Sequence, residues 1–229
     1  MCASRSESRG FKHPFTHSQG IGLSSIDSHN CKVFALILAA GSSTRFEGDK
    51  RQALLPCGRT LLTASLDNAR KAFAHVAVIL RKDDDSKALG IPAEITIIRS
   101  EYAGLGMGHS LASGIAAVMN SSADAVAILL ADMPWIQPQT LRKLATLADP
   151  QRIALPMHEG QRGHPVIIGR RFWPELLKLE GDQGAKALIT HNPELCDVMD
   201  CDDPGILRDA DTRSALAMAC RQHLADRCD

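Results

Sequence analysis

Short, uninterrupted runs of apolar residues recur along the chain, and a polar or glycine-rich segment follows each of them. Residues 33–39 read VFALILA, and such a continuous run predicts a strand buried on both faces, as in a parallel sheet. Similar runs predict strands at residues 75–81, 93–99, 125–131, 152–156, 165–168 and 195–199. Apolar positions at helical spacing predict helices at residues 61–73, 109–119, 141–147, 172–179, 185–191 and from residue 212 onward.

This alternation of strands and helices predicts βαβ crossovers and a mostly parallel sheet. We therefore expect a Rossmann-like three-layer α/β/α sandwich. In such folds ligands bind at the carboxyl ends of the strands. The polar, glycine-rich segments at residues 40–50, 104–110 and 132–134 all follow predicted strands at that edge, so we expect the site there.

The first 32 residues differ from the rest of the chain. They are rich in Ser, His and Gly and contain no continuous apolar core, which predicts a disordered extension and not a secretory signal. A single domain is expected at residues 33–229, because 229 residues with 45% hydrophobic content can bury one core. Removal of residues 2–31 is expected to leave stability and activity nearly unchanged.

The charge balance and the cysteine pattern argue against several classes of protein. Lys+Arg and Asp+Glu both number 26, which argues against binding nucleic acid or a membrane surface through bulk charge. No apolar stretch approaches the roughly 20 residues that span a bilayer. The seven cysteines are scattered without a C-x-x-C pair, so neither a disulfide framework nor a zinc ribbon is indicated. We expect a cytoplasmic protein that is a monomer or a weak homo-oligomer.

The loop after the first strand carries the most chemical information. Residues 38–50 read LAAGSSTRFEGDK, which matches neither the dinucleotide fingerprint nor a Walker A loop. Gly41 permits a tight turn, hydroxyl groups follow it, and Arg45 and Lys50 can neutralise a phosphate. From composition alone, an ordinary strand-to-helix connection with solvated charges explains these residues equally well.

Four later segments follow in a set order: residues 130–134 (LADMP), 162–166 (RGHPV), 181–186 (GDQGAK) and 209–212 (DADT). Together with the first loop, over about residues 33–217, they resemble the MobA-like nucleotidyltransferases, particularly the molybdenum cofactor cytidylyltransferase branch. Two positions depart from that pattern: Glu47 stands where glycine is usual, and Arg213 replaces a proline.

The resemblance implies transfer of CMP from CTP to a phosphate acceptor, with molybdopterin or the molybdenum cofactor expected, and release of pyrophosphate. The implied partners are a nucleoside triphosphate, a phosphorylated small molecule and a molybdenum hydroxylase as recipient. Mg²⁺ is the implied cofactor, with Asp132 as its ligand. The implied catalytic residues are Arg45, Lys50, Asp132 and Asp182. The implied nucleotide-binding residues are Leu38, Ala39, Ala40, Gly41, Ser42, Ser43, Arg45, Lys50, Gly106 and Ser110.

The resemblance also places His164 and Asp182 beside the acceptor, and it associates alanine at position 40 with cytosine. Asp182 is equally well explained as the N-cap of the helix at residue 185. For Asp211 we favour the N-cap of the last helix over a carboxylate near the site. The acidic run at residues 83–85 is expected to be a solvated loop, and Lys50 a surface lysine that contributes little stability.

Three other functions compete with cytidylyl transfer. One is guanylyl or other nucleotidyl transfer to a different phosphate, such as a sugar phosphate, and another is a non-catalytic chaperone for the molybdenum cofactor. The third is a serine hydrolase, because residues 108–112 (GHSLA) approach the G-x-S-x-G elbow. That elbow needs a strand directly before the serine, and residues 101–108 show no strand pattern, so the hydrolase is disfavoured.

Overall fold

A computed structural model of the chain describes residues 31–225. The predicted disordered extension therefore lies outside the described residues, except for its last two positions. Cys31 packs against the hydrophobic core, and the Lys32 carbonyl accepts a hydrogen bond from the Asp124 amide (2.8 Å). The packed part of the chain thus includes residues 31 and 32, and a truncation through residue 31 would remove a core contact.

An eight-stranded sheet forms the centre of the molecule. Its strands are β1 (Val33–Leu38), β2 (His75–Arg81), β3 (Thr96–Ser100), β4 (Ala125–Leu130), β5 (Ile153–His158), β6 (Gln161–Arg162), β7 (Val166–Gly169) and β8 (Cys196–Asp200). The order is β3-β2-β1-β4-β7-β5-β6, and β8 pairs with β5. Strands β1 to β4 are mutually parallel, as is the β5–β8 pair, whereas β7 runs antiparallel to both of its neighbours.

The antiparallel part of the sheet starts at a tight turn. Glu159 and Gly160, both with positive φ (47° and 75°), connect β5 to β6, and a two-residue turn of this kind joins only antiparallel strands. The chain then continues into β7, which inserts between β4 and β5. The expectation of a mostly parallel sheet is confirmed, with β6 and β7 as the two antiparallel strands.

Helices cover both faces of the sheet. They are α1 (Leu61–Arg70), α2 (Met107–Val118), α3 (Pro138–Ala145), α4 (Trp173–Leu176), α5 (Lys186–His191) and α6 (Arg213–Ala225). Helices α1 and α3 pack on one face with Ile37 of β1, while α2 and α4 pack on the other with Leu36. Adjacent residues of β1 thus serve opposite cores, as the twofold period of a strand requires. Each such fully buried side chain contributes roughly 1.5–3 kcal/mol.

Several element boundaries differ from those the sequence pattern predicted. Helix α3 begins three residues early, at Pro138, because proline suits the first turn of a helix and Asp203 accepts hydrogen bonds from the Gln137 amide and the Thr140 hydroxyl (2.9 and 2.6 Å). Helix α4 has four residues instead of eight, and it starts just before Pro174, which cannot sit in a helix interior. Among the described helices, none combines the length and apolar character that crossing a membrane requires.

Candidate functional site

A cavity of about 730 Å³ opens at the carboxyl ends of β1 and β4. It lies where the sequence predicted the site, and it gathers nearly all of the predicted residues. Those in its wall are Leu38, Ala39, Ala40, Gly41, Ser42, Ser43, Arg45, Lys50, Gly106, Ser110, Asp132 and Asp182. His164 does not line the cavity.

The loop after β1 forms one wall of the cavity in a strained conformation. Ser43 and Glu47 adopt positive φ angles of 53° and 56°, which non-glycine residues rarely adopt outside functional or tightly constrained sites. The Ser43 hydroxyl is buried without a hydrogen-bond partner, although such groups are normally paired. Phe46 is buried and anchors the loop to the domain. The loop therefore contains both strained backbone and an unpaired buried hydroxyl, features that cluster at functional sites.

Lys50 connects two carboxylates at the base of the cavity. Its Nζ donates to Asp132 Oδ2 (2.6 Å) and to Asp211 Oδ1 (3.0 Å). Burial alone would lower the pKa of Lys50, but the charges and hydrogen bonds of Asp132 and Asp211 outweigh burial and raise it. Lys50 is therefore a half-buried, charged bridge, and the expectation of a surface lysine is wrong.

Asp211 belongs to the site and does not cap the last helix, so the favoured interpretation was wrong. The cap of α6 is Thr212, whose hydroxyl accepts from the Ala215 amide (3.0 Å). Asp211 instead accepts from Lys50, and its Oδ2 lies 3.1 Å from Arg45 Nη1. The hydrogen bond from Lys50 is the main reason that the pKa of Asp211 lies below its usual value. Both predicted cations thus converge on this carboxylate.

Two charged residues in the cavity wall were given no role by the sequence reasoning, Asp209 and Arg51. Burial, together with the charges of Asp211 and Asp132, raises the pKa of Asp209, so this carboxyl group lies close to the two that bind Lys50. A D-x-D spacing at residues 209–211 was the available signal for Asp209.

Arg51 is buried beside the loop, and its guanidinium binds the carboxylates of Asp49 and Asp84. Arg51 Nε donates to Asp49 (2.8 Å), and Arg51 Nη2 donates to Asp84 (2.8 Å). The side chain of Asp84 is 11% exposed, so the expectation of a solvated acidic loop is wrong for this residue. No local pattern links Arg51 with a carboxylate 33 positions away.

Two glycine-rich loops interlock at another wall of the cavity. A Cβ added to Gly106 would lie 2.2 Å from the Gly181 carbonyl group, and the Gly108 amide donates to the same carbonyl oxygen (2.8 Å). The Gly181 amide in turn donates to His109 Nδ1 (3.1 Å). Asp182 therefore lines the cavity from a loop that these contacts hold in place. Helix α5 has no side-chain cap, so the alternative role of Asp182 as an N-cap is wrong.

His164 lies near Asp132 but outside the cavity wall. Burial lowers the pKa of His164, and the charge of Asp132 opposes this shift. Its Nδ1 is buried without a hydrogen-bond partner, so the histidine is a neutral neighbour of the acidic residue at the end of β4.

The two departures from the family pattern, Glu47 and Arg213, touch each other. Arg213 Nη2 donates to the Glu47 carbonyl (3.3 Å), and its guanidinium lies 5.3 Å from the ring centre of Phe46. The left-handed φ of Glu47 explains why glycine is usual at that position. Arg213 therefore braces a strained loop from the start of α6, and Thr212 caps that helix without the usual proline.

Ser110 lies within α2, three residues after its first residue, Met107. The preceding segment, Ala103–Leu105, is a 3₁₀ turn and not a strand. The strand–turn–helix context of a hydrolase nucleophile is thus missing, and Ser110 does not cap α2 either.

The acidic residues fit a divalent cation that is shared with a bound nucleotide. Within residues 31–225, no group of three or more His, Cys, Asp or Glu side chains is arranged to hold a metal ion by itself. Asp132 and Asp211, however, converge on a single nitrogen. Mg²⁺ is commonly held by one or two carboxylates together with substrate phosphates and water. The donor set therefore fits a metal whose remaining ligands come with the substrate.

Comparison with known proteins yields related sequences over most of the chain. The MobA-like NTP transferase domain matches residues 35–196. The purine catabolism protein PucB of Bacillus subtilis is 30% identical over 82% of this chain and 96% of its own length. The nicotine blue oxidoreductase of Paenarthrobacter nicotinovorans is 28% identical over 79% of this chain and 92% of its own.

A solved structure is similar as well. Rv0371C of Mycobacterium tuberculosis, in complex with manganese, is 26% identical, with a TM-score of 0.67, over 83% of this chain and 98% of that one. The names of these relatives indicate different reactions, so family membership identifies the fold of the domain but not the reaction that it catalyses. The fold is that of the nucleotide-diphospho-sugar transferases, and the chain belongs to the MobA-like NTP transferase family.

Proposed function

We propose that this protein transfers CMP from CTP to the terminal phosphate of molybdopterin or the molybdenum cofactor and releases pyrophosphate. The observation that carries this proposal is the Lys50 ammonium, which bridges Asp132 and Asp211 beside the loop after β1. Cations and carboxylates without a protein nucleophile are the groups that phosphoryl-type transfer uses.

The reaction requires one bond to form and one to break at the α-phosphorus. An oxygen of the acceptor phosphate attacks it, and the bond to the bridging oxygen of the β-phosphate breaks, so that pyrophosphate leaves. Arg45 is largely exposed at the cavity wall and can turn from Asp211 to the triphosphate. Lys50 can meet the charge that develops on the leaving pyrophosphate.

Asp132 and Asp211 would hold the divalent cation once Lys50 turns toward the phosphates. Such a cation supplies neutralisation of the phosphate charge and aligns the attacking and leaving oxygens. The manganese complex of Rv0371C supports a divalent-metal requirement in this family. Mg²⁺ remains our proposal for this chain, because hard oxygen donors dominate the site.

The choice of CTP follows from Ala40. This residue is almost fully buried and lines the cavity, so its methyl group occupies space that a purine would need. One methyl group is worth about 1–3 kcal/mol in discrimination. The methyl group of Ala40 alone can therefore account for a preference for CTP over GTP.

The acceptor is proposed to lie against the loop that carries Asp182. This loop is held by Gly106 and by His109, each of which contacts Gly181, so it can position an acceptor at a fixed distance from the nucleotide. A molybdenum hydroxylase that receives the finished cofactor is part of the same proposal. The competing acceptor is a sugar phosphate, because the fold accommodates both.

Pyrophosphate release tests the proposal. We would measure it with CTP, GTP, ATP and UTP, each with molybdopterin and with a panel of sugar phosphates, at saturating Mg²⁺ and Mn²⁺. CTP with molybdopterin is expected to give the highest kcat/KM. The control is Asp132→Asn, which is expected to lower kcat by roughly 10²–10³, as loss of other electrostatic stabilisers does. Turnover of a sugar phosphate but not of molybdopterin contradicts the proposed acceptor. An Asp132→Asn variant with more than half of the wild-type kcat contradicts the metal assignment.

A further inference from the structure

Three consecutive carbonyl groups at the start of the loop after β1 accept hydrogen bonds from arginines. Arg51 Nη1 donates to the Ala39 carbonyl (2.8 Å). Arg81 Nε donates to the Ala40 carbonyl (3.2 Å), and Arg81 Nη2 donates to the Gly41 carbonyl. Two guanidinium groups from different segments therefore fix three successive peptide units.

The orientation of these carbonyls determines where the neighbouring amides point. In a planar trans peptide, the C=O of one residue and the N–H of the next point in opposite directions. The N–H groups of Ala40, Gly41 and Ser42 therefore face away from the arginines. Ala40, Gly41 and Ser42 line the cavity, and no acceptor within residues 31–225 takes a hydrogen bond from these three amides. Backbone donors are seldom left unused, so a ligand oxygen is their natural partner.

The arginines are themselves held in place. Arg51 is 5% exposed and is bound by Asp49 and Asp84, as described above. Asp84 Oδ2 also accepts from the backbone amide of Arg81 (2.9 Å), and the Arg81 carbonyl accepts from Arg99 Nη1 (3.0 Å). The guanidinium of Arg51 and the backbone of Arg81 thus belong to one hydrogen-bonded frame at the carboxyl ends of β1, β2 and β3.

We propose that Arg51 and Arg81 are positioning residues that turn the amides of Ala40, Gly41 and Ser42 toward oxygen atoms of the bound nucleotide. This role rests on the proposed function, because it requires that the cavity binds a nucleoside triphosphate. Neither arginine needs to touch the nucleotide. Donors fixed before binding do not have to be reoriented when the ligand arrives.

Arg81 is the better residue to test, because it is less buried than Arg51. We would measure the Kd of the tightest-binding nucleoside triphosphate among CTP, GTP, ATP and UTP by calorimetry with Mn²⁺. Arg81→Met is expected to weaken binding at least about tenfold. Arg81→Lys is expected to lose less, because an ammonium can still donate to one of the two carbonyls. The control is Arg142→Met, which removes an arginine that donates to the Lys71 carbonyl (3.0 Å) at a different cavity, and its Kd should stay within twofold of wild type.

Melting temperatures and amide resonances distinguish positioning from general stability. Arg81→Met and Arg81→Lys are expected to melt within a few degrees of each other, while only Arg81→Met loses the nucleotide-induced shifts at Ala40, Gly41 and Ser42. Wild-type-like binding by Arg81→Met would overturn the inference but leave the proposed function intact. An equal loss of nucleotide affinity in Arg142→Met would also overturn the inference. Wild-type protein that binds none of the four nucleotides refutes the proposed function and this inference together.

Discussion

Replacement of Lys50 by methionine tests the charge balance of the site most directly. The change keeps an unbranched apolar stem and removes the ammonium that bonds Asp132 and Asp211 at 2.6 and 3.0 Å. Two carboxylates then share the site without this counter-charge. At a separation of about 5 Å, their repulsion is roughly 1–3 kcal/mol for an effective dielectric constant between about 80 and 20. Asp211 is 37% exposed, so solvent screening favours the lower half of that range.

We therefore expect Lys50→Met to lose about 1–2 kcal/mol of unfolding free energy, which for a domain of this size lowers the Tm by roughly 3–6 °C. Millimolar Mg²⁺ or Mn²⁺ should restore most of this loss, because the two carboxylates are then free to bind a divalent cation. The wild-type protein should gain less from the same cation, since Lys50 must first be displaced. Turnover should fall by roughly 10²–10³, and added cation should not restore it.

Thermal melts of both proteins across a titration of Mn²⁺ provide the assay. Lys82→Met is the matched control, because Lys82 forms a single ion pair with Glu101 at 3.6 Å in which both side chains are more than 60% exposed. Such pairs contribute little, and the control should melt with the wild type at every cation concentration. If Lys50→Met also melts with the wild type and gains no more from Mn²⁺, then Asp132 and Asp211 do not form a shared cation site.

Three further outcomes are expected. Ala40→Gly should move the ratio of kcat/KM for CTP over GTP toward GTP by roughly 10–200-fold, and a wild-type preference of tenfold for GTP would contradict the role of this methyl group. Gly106→Ala should cost at least about 2 kcal/mol in chemical denaturation, because its φ is +126° and the added Cβ would meet backbone atoms at 2.2 Å; Gly104→Ala, which meets nothing within 4 Å, should stay near wild type. Burial would raise the pKa of Asp84, but hydrogen bonds from Arg51 outweigh it and lower the pKa; the stability from this pair is thus fully present above about pH 4 and is lost progressively as the pH falls through the lowered pKa. Asp84→Asn should destabilise the protein by about 3 kcal/mol at pH 7 and by less at pH 3, and an equal loss at both pH values would argue against the pair.

The sequence carried enough information to predict the sheet and the first loop. Continuous apolar runs such as residues 33–39 have few alternatives to a buried parallel strand, and Asp132 follows one of them directly. The role of Asp211 was harder to predict, because Asp211 and Thr212 are both good N-cap residues. Only the folded structure shows which of them faces the cavity. The bond between Arg51 and Asp84 depends on how β1 and β2 align, which no local pattern records.

Segments from near the beginning and near the end of the domain form ion pairs with each other at the site. Arg45 and Lys50 come from the loop after the first strand, and Asp211 comes from the residues just before the last helix. A nucleotide that draws the two cations to its phosphates takes them away from that carboxylate. The bound triphosphate and its cation would then become the link between the opening and closing segments of the chain. Occupancy of the site should therefore control how firmly α6 is attached, and a shortened chain that ends at residue 196, where the family match stops, would lack one side of that link.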